Sequence, residues 1–110
     1  MEKRTPHYKL DRLKELLQHE DTRLITARSL REAAELGYFS VEAIVEEICL
    51  LSVRNHFDKS MTAHGQSKIW QDVYKKPFIS DSKEILLYIK LQETPSGCGV
   101  VVSFHKSIDW

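Results

Sequence analysis

The sequence predicts an α+β fold, an antiparallel β-sheet with helices packed on one side, and three observations carry that expectation. Apolar residues before Leu51 recur mostly at helical spacing, and those after it alternate with a period of two. The last two alternating stretches are joined by residues 94–99, which hold Pro95, Ser96 and Gly97. A turn that short makes neighbouring strands run antiparallel. At 110 residues the chain supports one hydrophobic core and is read as a single domain, residues 1–110.

The elements follow in order. Leu10, Leu13, Leu16 and Leu17 line one side of a helix over residues 10–18, with Asp11, Lys14 and Glu15 turned outward. Residues 22–26, around Leu24 and Ile25, read as a short early strand. The next helix has two equally open starts, a capping box of Ser29 and Glu32 or an earlier cap at Thr26. It stops at Gly37, which tolerates the left-handed conformation past Leu36. A third helix follows Ser40, with Val41, Ile44, Val45, Ile48 and Leu51 on its apolar stripe and Glu42, Glu46 and Glu47 on the solvent side.

Beyond Leu51, residues 57–62 and 69–74 are strand candidates joined through a polar connection containing Gly65. In residues 85–91, Ile85, Leu87, Ile89 and Leu91 share one face, and Leu86, Tyr88 and Lys90 the other. In residues 100–105, strict alternation sets Val100, Val102 and Phe104 against Val101, Ser103 and His105. The apolar face of this hairpin must pack on the helices. Tyr88, Lys90, Ser103 and His105 are then offered to solvent or substrate. Trp70 reads as core, and Trp110 as a residue packing on the sheet edge.

Sixteen Lys and Arg balance sixteen Asp and Glu, so net charge argues weakly against a nucleic-acid partner. The distribution softens that objection. Residues 1–14 and 54–76 each carry five basic and two acidic groups, whereas residues 15–53 carry three and eight. No apolar run of roughly 18 residues and no charged-then-apolar leader is present, so a soluble, cytoplasmic protein without a membrane partner is expected. Cys49 and Cys98 form no CxxC pair and read as two reduced cysteines. His56 and His64, eight residues apart without cysteine or a nearby acidic cluster, read as ordinary surface, and no metal or cofactor is expected.

Several blocks, spread from end to end, resemble one family. They are MEKRTPHYKL at the start, DKSMT from Asp58, IWQDVYKKP from Ile69, LYIKL from Leu87 and VVVSFHK from Val100. Together they are similar to the MqsR toxins, and WQDVY following KSMT is the most specific part. The resemblance implies a RelE-like toxin fold and an endoribonuclease that cuts single-stranded mRNA at short GC-containing sites and arrests growth. It also implies a cognate MqsA-like antitoxin with a zinc-binding part and a helix-turn-helix, through which alone operator DNA is reached. Position by position, it puts catalytic roles on Lys59, Gln71 and Tyr88, with His105 at the basic position after Ser103 and Phe104. Met61 and Lys75, with His7 and Lys106, fall where RNA contact is implied. Two departures stand out: Asp58 replaces an aromatic residue before the lysine, and His105 stands where a lysine is usual.

RNA supplies its own nucleophile. Its 2′-oxygen attacks the adjacent phosphorus once a base takes the 2′ proton, leaving a cyclic phosphate and a 5′-hydroxyl. The protein must provide that base, an acid, and positive charge for the transition state. Lys59 suits the charge and His105 the acid or base, since imidazole exchanges protons near neutrality. Tyr88 and Gln71 would orient the phosphate, and Lys75 would add grip. The competing expectation is a catalytically inactive toxin-fold protein, serving as an antitoxin-bound co-repressor or an RNA-binding module. Neutral charge and the unusual His105 favour it.

Overall fold

A computed structural model describes residues 1–108, and Ser67 through its backbone alone. Trp110, expected at the sheet edge, lies outside the described residues. The chain runs β1 (Glu2–Lys3), α1 (Leu10–Gln18), a 3-10 turn (Glu20–Thr22), β2 (Arg23–Ile25), α2 (Ala27–Glu35), α3 (Val41–Cys49) and α4 (Val53–His56). It continues as β3 (Phe57–Ala63), β4 (Gln66–Ser80), β5 (Lys83–Glu93) and β6 (Gly99–Lys106). The α+β class is as the sequence predicts. No helix among the described residues is long and apolar enough to cross a membrane.

The six strands form one sheet in the order β1-β3-β4-β5-β6-β2. Four pairings are antiparallel, but β2 lies parallel to β6, so the sheet is mixed. Alternation carries no direction, and only a tight turn enforces antiparallel pairing. Residues 26–98 separate β2 from β6, which leaves their direction free.

Side-chain caps settle the helix starts. The Thr26 hydroxyl accepts from Ser29 N–H at 3.1 Å, so the earlier start of α2 is the one adopted. Ser29 is fully buried and its hydroxyl donates to the Val101 carbonyl at 3.2 Å, which ties α2 to β6. The Ser40 hydroxyl likewise caps α3 by accepting from Ala43 N–H at 3.0 Å. Between α1 and β6 the approach is close. A Cβ on Gly99 would stand 3.1 Å from Leu17 Cγ, tighter than ordinary packing permits.

The core joins Leu10, Leu13 and Leu17 of α1, Ala33 of α2, and Ile44 and Ile48 of α3 to one face of the sheet. That face carries Tyr74, Leu87, Ile89, Leu91, Val101 and Phe104. One expectation is corrected here. Lys90 pairs with Ser103 but Leu91 pairs with Val101, so Val102 is an extra residue in a β-bulge. The bulge shifts the alternation by one, and Val101 is buried in place of Val100 and Val102.

Glu47 is a second correction, because it is buried instead of facing solvent. Tyr38 donates to its Oε1 at 2.6 Å, and Lys76 Nζ lies 2.8 Å from its Oε2. These partners make the burial of a carboxylate tolerable. Beside them, His56 Nδ1 accepts from Ser52 N–H at 2.9 Å, which requires that nitrogen to be unprotonated. Burial, followed by the nearby Lys76 ammonium, pushes the His56 pKa below its ordinary 6.5. The folded state therefore binds fewer protons than the unfolded one just below pH 6.5. Its contribution to stability is complete above that value and is lost as pH falls through the lowered folded pKa. The melting temperature should fall between pH 7.5 and 5.5, and H56Q should flatten that fall. An unchanged slope in H56Q would assign the effect to other groups.

Candidate nucleic-acid interface

The sheet face turned away from the helices gathers polar and aromatic side chains in rows set by strand register. Lys59 of β3 stands opposite Val73 of β4, Val73 opposite Lys90 of β5, and Lys90 opposite Ser103 of β6. Lys75, Tyr88 and His105 form the next row. A register shift between Phe57 and Lys59 makes Asp58 a bulge residue. Its carboxylate reaches Lys75 Nζ on this same face, at 3.6 Å. Asp58, one of the departures noted above, is thus a counter-ion of Lys75.

Lys59 is similarly engaged, with its Nζ 3.1 Å from Glu2 Oε2. That hydrogen bond holds the Glu2 carboxyl below its usual range. Lys90 differs. It is half-buried and has no carboxylate partner among the described residues. Its ammonium lies 5.8 Å from the centroid of the Tyr88 ring. Burial first, then repulsion from Lys59 and Arg28, lowers its pKa. The rings of Tyr88 and His105 stack with centroids 4.9 Å apart and planes 12° from parallel.

His105 Nδ1 lies 2.9 Å from the Lys106 carbonyl oxygen. A carbonyl can only accept, so Nδ1 carries the hydrogen and Nε2 holds the lone pair of the neutral ring. An imidazole with one nitrogen fixed by an orienting acceptor and the other available is the arrangement a general base requires. A hollow of about 350 Å³ opens here, lined by Arg28, Tyr88, Lys90, Ser103, His105 and Ser107, with Ile108 at its edge. A larger one, about 440 Å³, lies between Tyr8, Lys68 and the segment from Gln92 to Pro95. Its carboxylate, Glu93, is taken by Arg12 at 3.2 Å, and it holds no comparable set of proton-transfer groups.

The structure gathers Lys59, Lys75, Tyr88 and His105 on this face but separates the other expected residues from that patch. Gln71 and Met61 pair with each other farther along the sheet. Gln71 is buried and donates to Gln92 Oε1 at 2.7 Å. Four residues of β4 separate it from Lys75, about 13 Å along the strand. Gln71 therefore stands well along the sheet from the row that holds Tyr88. His7 lies on the helix side, stacked on Trp70 at 5.5 Å, with its Nδ1 3.0 Å from Lys3 Nζ. Lys106 pairs with the core-facing Leu87, so it leaves the strand on the helix side as well. Lys90 and Ser103 were legible on the open hairpin face. Arg28, which comes from a helix, had no local signal.

Fold and face together define a small α+β protein equipped to grip a polyanion with lysines and stacked rings. Residues 5–106 match the family described as "Motility quorum-sensing regulator, toxin of MqsA", and the chain belongs to that family of toxins. It is 36% identical over 91 residues to the mRNA interferase toxin MqsR of Escherichia coli (strain K12). That alignment covers 83% of this chain and 86% of its relative.

Proposed function

We propose that the chain is a cytoplasmic endoribonuclease toxin that cuts single-stranded mRNA at short GC-containing sites, without a metal, on the open sheet face. The observation that carries this reading is the Tyr88–His105 stack beside Lys90, which has no carboxylate partner among the described residues. His105 Nε2 takes the 2′ proton as the 2′-oxygen bonds to phosphorus, and the P–O5′ bond breaks with the departing 5′-oxygen protonated by water. Lys90, joined by Lys59 from two strands away, stabilises the dianionic phosphorane, and the Tyr88 hydroxyl donates to a non-bridging oxygen. Lys75 holds the neighbouring backbone. A cognate antitoxin, with its zinc-binding part and helix-turn-helix, would neutralise the toxin and alone contact operator DNA. Incubating the protein with a labelled unstructured RNA in EDTA should give fragments ending in a cyclic phosphate. RNA that is bound but left intact would reduce the protein to a binding module.

The ion pairs also explain how a neutral protein serves such a substrate. Glu2 and Asp58 hold Lys59 and Lys75 until phosphate replaces them. E2Q should therefore tighten binding of an uncleavable 2′-O-methyl RNA by about two- to fivefold at low salt, as for an exposed pair. Equal affinities for E2Q and the parent protein would show that Glu2 does not compete.

A further inference from the structure

The hollow beside His105 holds more positive charge than one scissile phosphate explains. Among the described residues its lining holds the cations Arg28 and Lys90 with Ser103 and His105 and no carboxylate, while Glu32 pairs with Arg28 from one side. Arg28 sits in the first turn of α2, and that turn is fixed to the strand bearing His105 by two hydrogen bonds. Thr26 N–H donates to the Val101 carbonyl at 3.3 Å, and Ser29 Oγ donates to the same oxygen at 3.2 Å. The guanidinium is therefore carried on a rigid support. Its Nε donates to Glu32 Oε1 at 2.8 Å, which orients the plane through one edge of the fork. The terminal amines remain the natural donors to a pair of phosphate oxygens.

Two cations facing a common hollow repel each other unless an anion lies between them. Lys90 already registers that repulsion, since Arg28 is among the groups depressing its pKa. Lys59 and Lys75 have carboxylates to rest on, whereas Lys90 has none among the described residues.

We infer that Arg28 and Lys90 form a clamp for a second RNA phosphate, adjacent to the scissile one, so that the substrate path continues off the sheet edge onto α2. This rests on the reading that RNA occupies the open face. The ligand is a backbone phosphodiester of single-stranded RNA, gripped through its non-bridging oxygens, and the contact is indifferent to base identity. The Ser103 hydroxyl adds a neutral donor within the same lining.

The test uses the whole protein and an eight-nucleotide unstructured RNA, 2′-O-methylated throughout so that it cannot be cut. Affinity is measured against salt for the parent, R28Q and R28K. R28Q should weaken binding roughly tenfold. It should also reduce the slope of log affinity against log salt by about 0.7, the value for one single-strand phosphate. R28K should keep the slope and recover only part of the affinity, because it lacks the fork. Arg28 is exposed, so melting temperatures should match and exclude a folding defect. Unchanged affinity and slope in R28Q would overturn the clamp. Cleavage of the unmodified octamer by the parent separates the two ideas. Cutting with an unchanged R28Q slope removes the clamp alone. A reduced slope without cutting keeps the clamp and removes the nuclease.

Discussion

Exchanging His105 for alanine should slow RNA cleavage by about a hundredfold to ten-thousandfold, the usual range for losing a positioned proton-transfer group. Three observations set that expectation. The Lys106 carbonyl fixes the hydrogen on Nδ1, the stack against Tyr88 holds the ring plane, and the half-exposed ring leaves Nε2 to the hollow. Affinity for uncleavable RNA should change far less, because Lys59, Lys75 and Lys90 carry the proposed phosphate contacts. The pH–rate profile of H105A should also lose the limb that an imidazole produces. Y88F, which keeps the ring stack but removes the hydroxyl, should be less severe. If H105A cleaved at the parental rate, proton transfer would have to be assigned to another group, and the stack would become a base-binding platform at most.

Replacing Asp72 by asparagine should destabilise the fold by about 2–4 kcal/mol. Asp72 is fully buried. Both its oxygens accept from His7 N–H at 3.1 Å, and Oδ2 also accepts from Tyr8 N–H at 2.9 Å. The carboxylate thus holds the segment leading into α1 against β4. An amide would offer one acceptor and turn its own hydrogens toward an N–H, leaving a buried donor unpaired. Urea denaturation of D72N should show the midpoint falling with little change in slope. A midpoint within experimental error of the parent would mean that water or a shifted backbone satisfies those donors.

Much of this arrangement could be read in advance wherever one periodicity ran uninterrupted. The four leucines of residues 10–18 give α1 its observed bounds, and the alternation of Ile85 to Leu91 gives β5 its two faces. Reading ahead failed where a non-local contact decided the outcome. β4 runs on to Ser80, past the expected end at residue 74, because β5 pairs with it as far as Lys83. Asp81 and Ser82, both at positive φ, close that hairpin without a glycine to announce it. Val102 looks like core until the bulge takes it out of register. Strand β1 and helix α4, two and four residues long, carry too few positions for any period to show.

The candidate site divides along the same line. Tyr88, Lys90, Ser103 and His105 share a hairpin face that alternation exposes directly. Resemblance added Lys59 and Lys75, and register places them beside that face. Gln71 was nominated by motif alone, and its distance along β4 follows from pairing that no motif encodes. His7 and Lys106 were placed by resemblance without regard to which side of the sheet they leave. Arg28 comes from a helix about 75 residues before the strand it serves, and only the tertiary fold brings them together.

The parallel seam between β2 and β6 bears on when such a protein could first become harmful to the cell making it. Residues 99–106 fill the slot between β5 and β2 and also carry His105. Until that stretch leaves the ribosome, the nascent polypeptide has a gap in its sheet and lacks the imidazole that stacks on Tyr88. Contacts so distant in sequence form late and slowly. Synthesis itself therefore imposes an interval during which the growing chain would be inert as the nuclease proposed above.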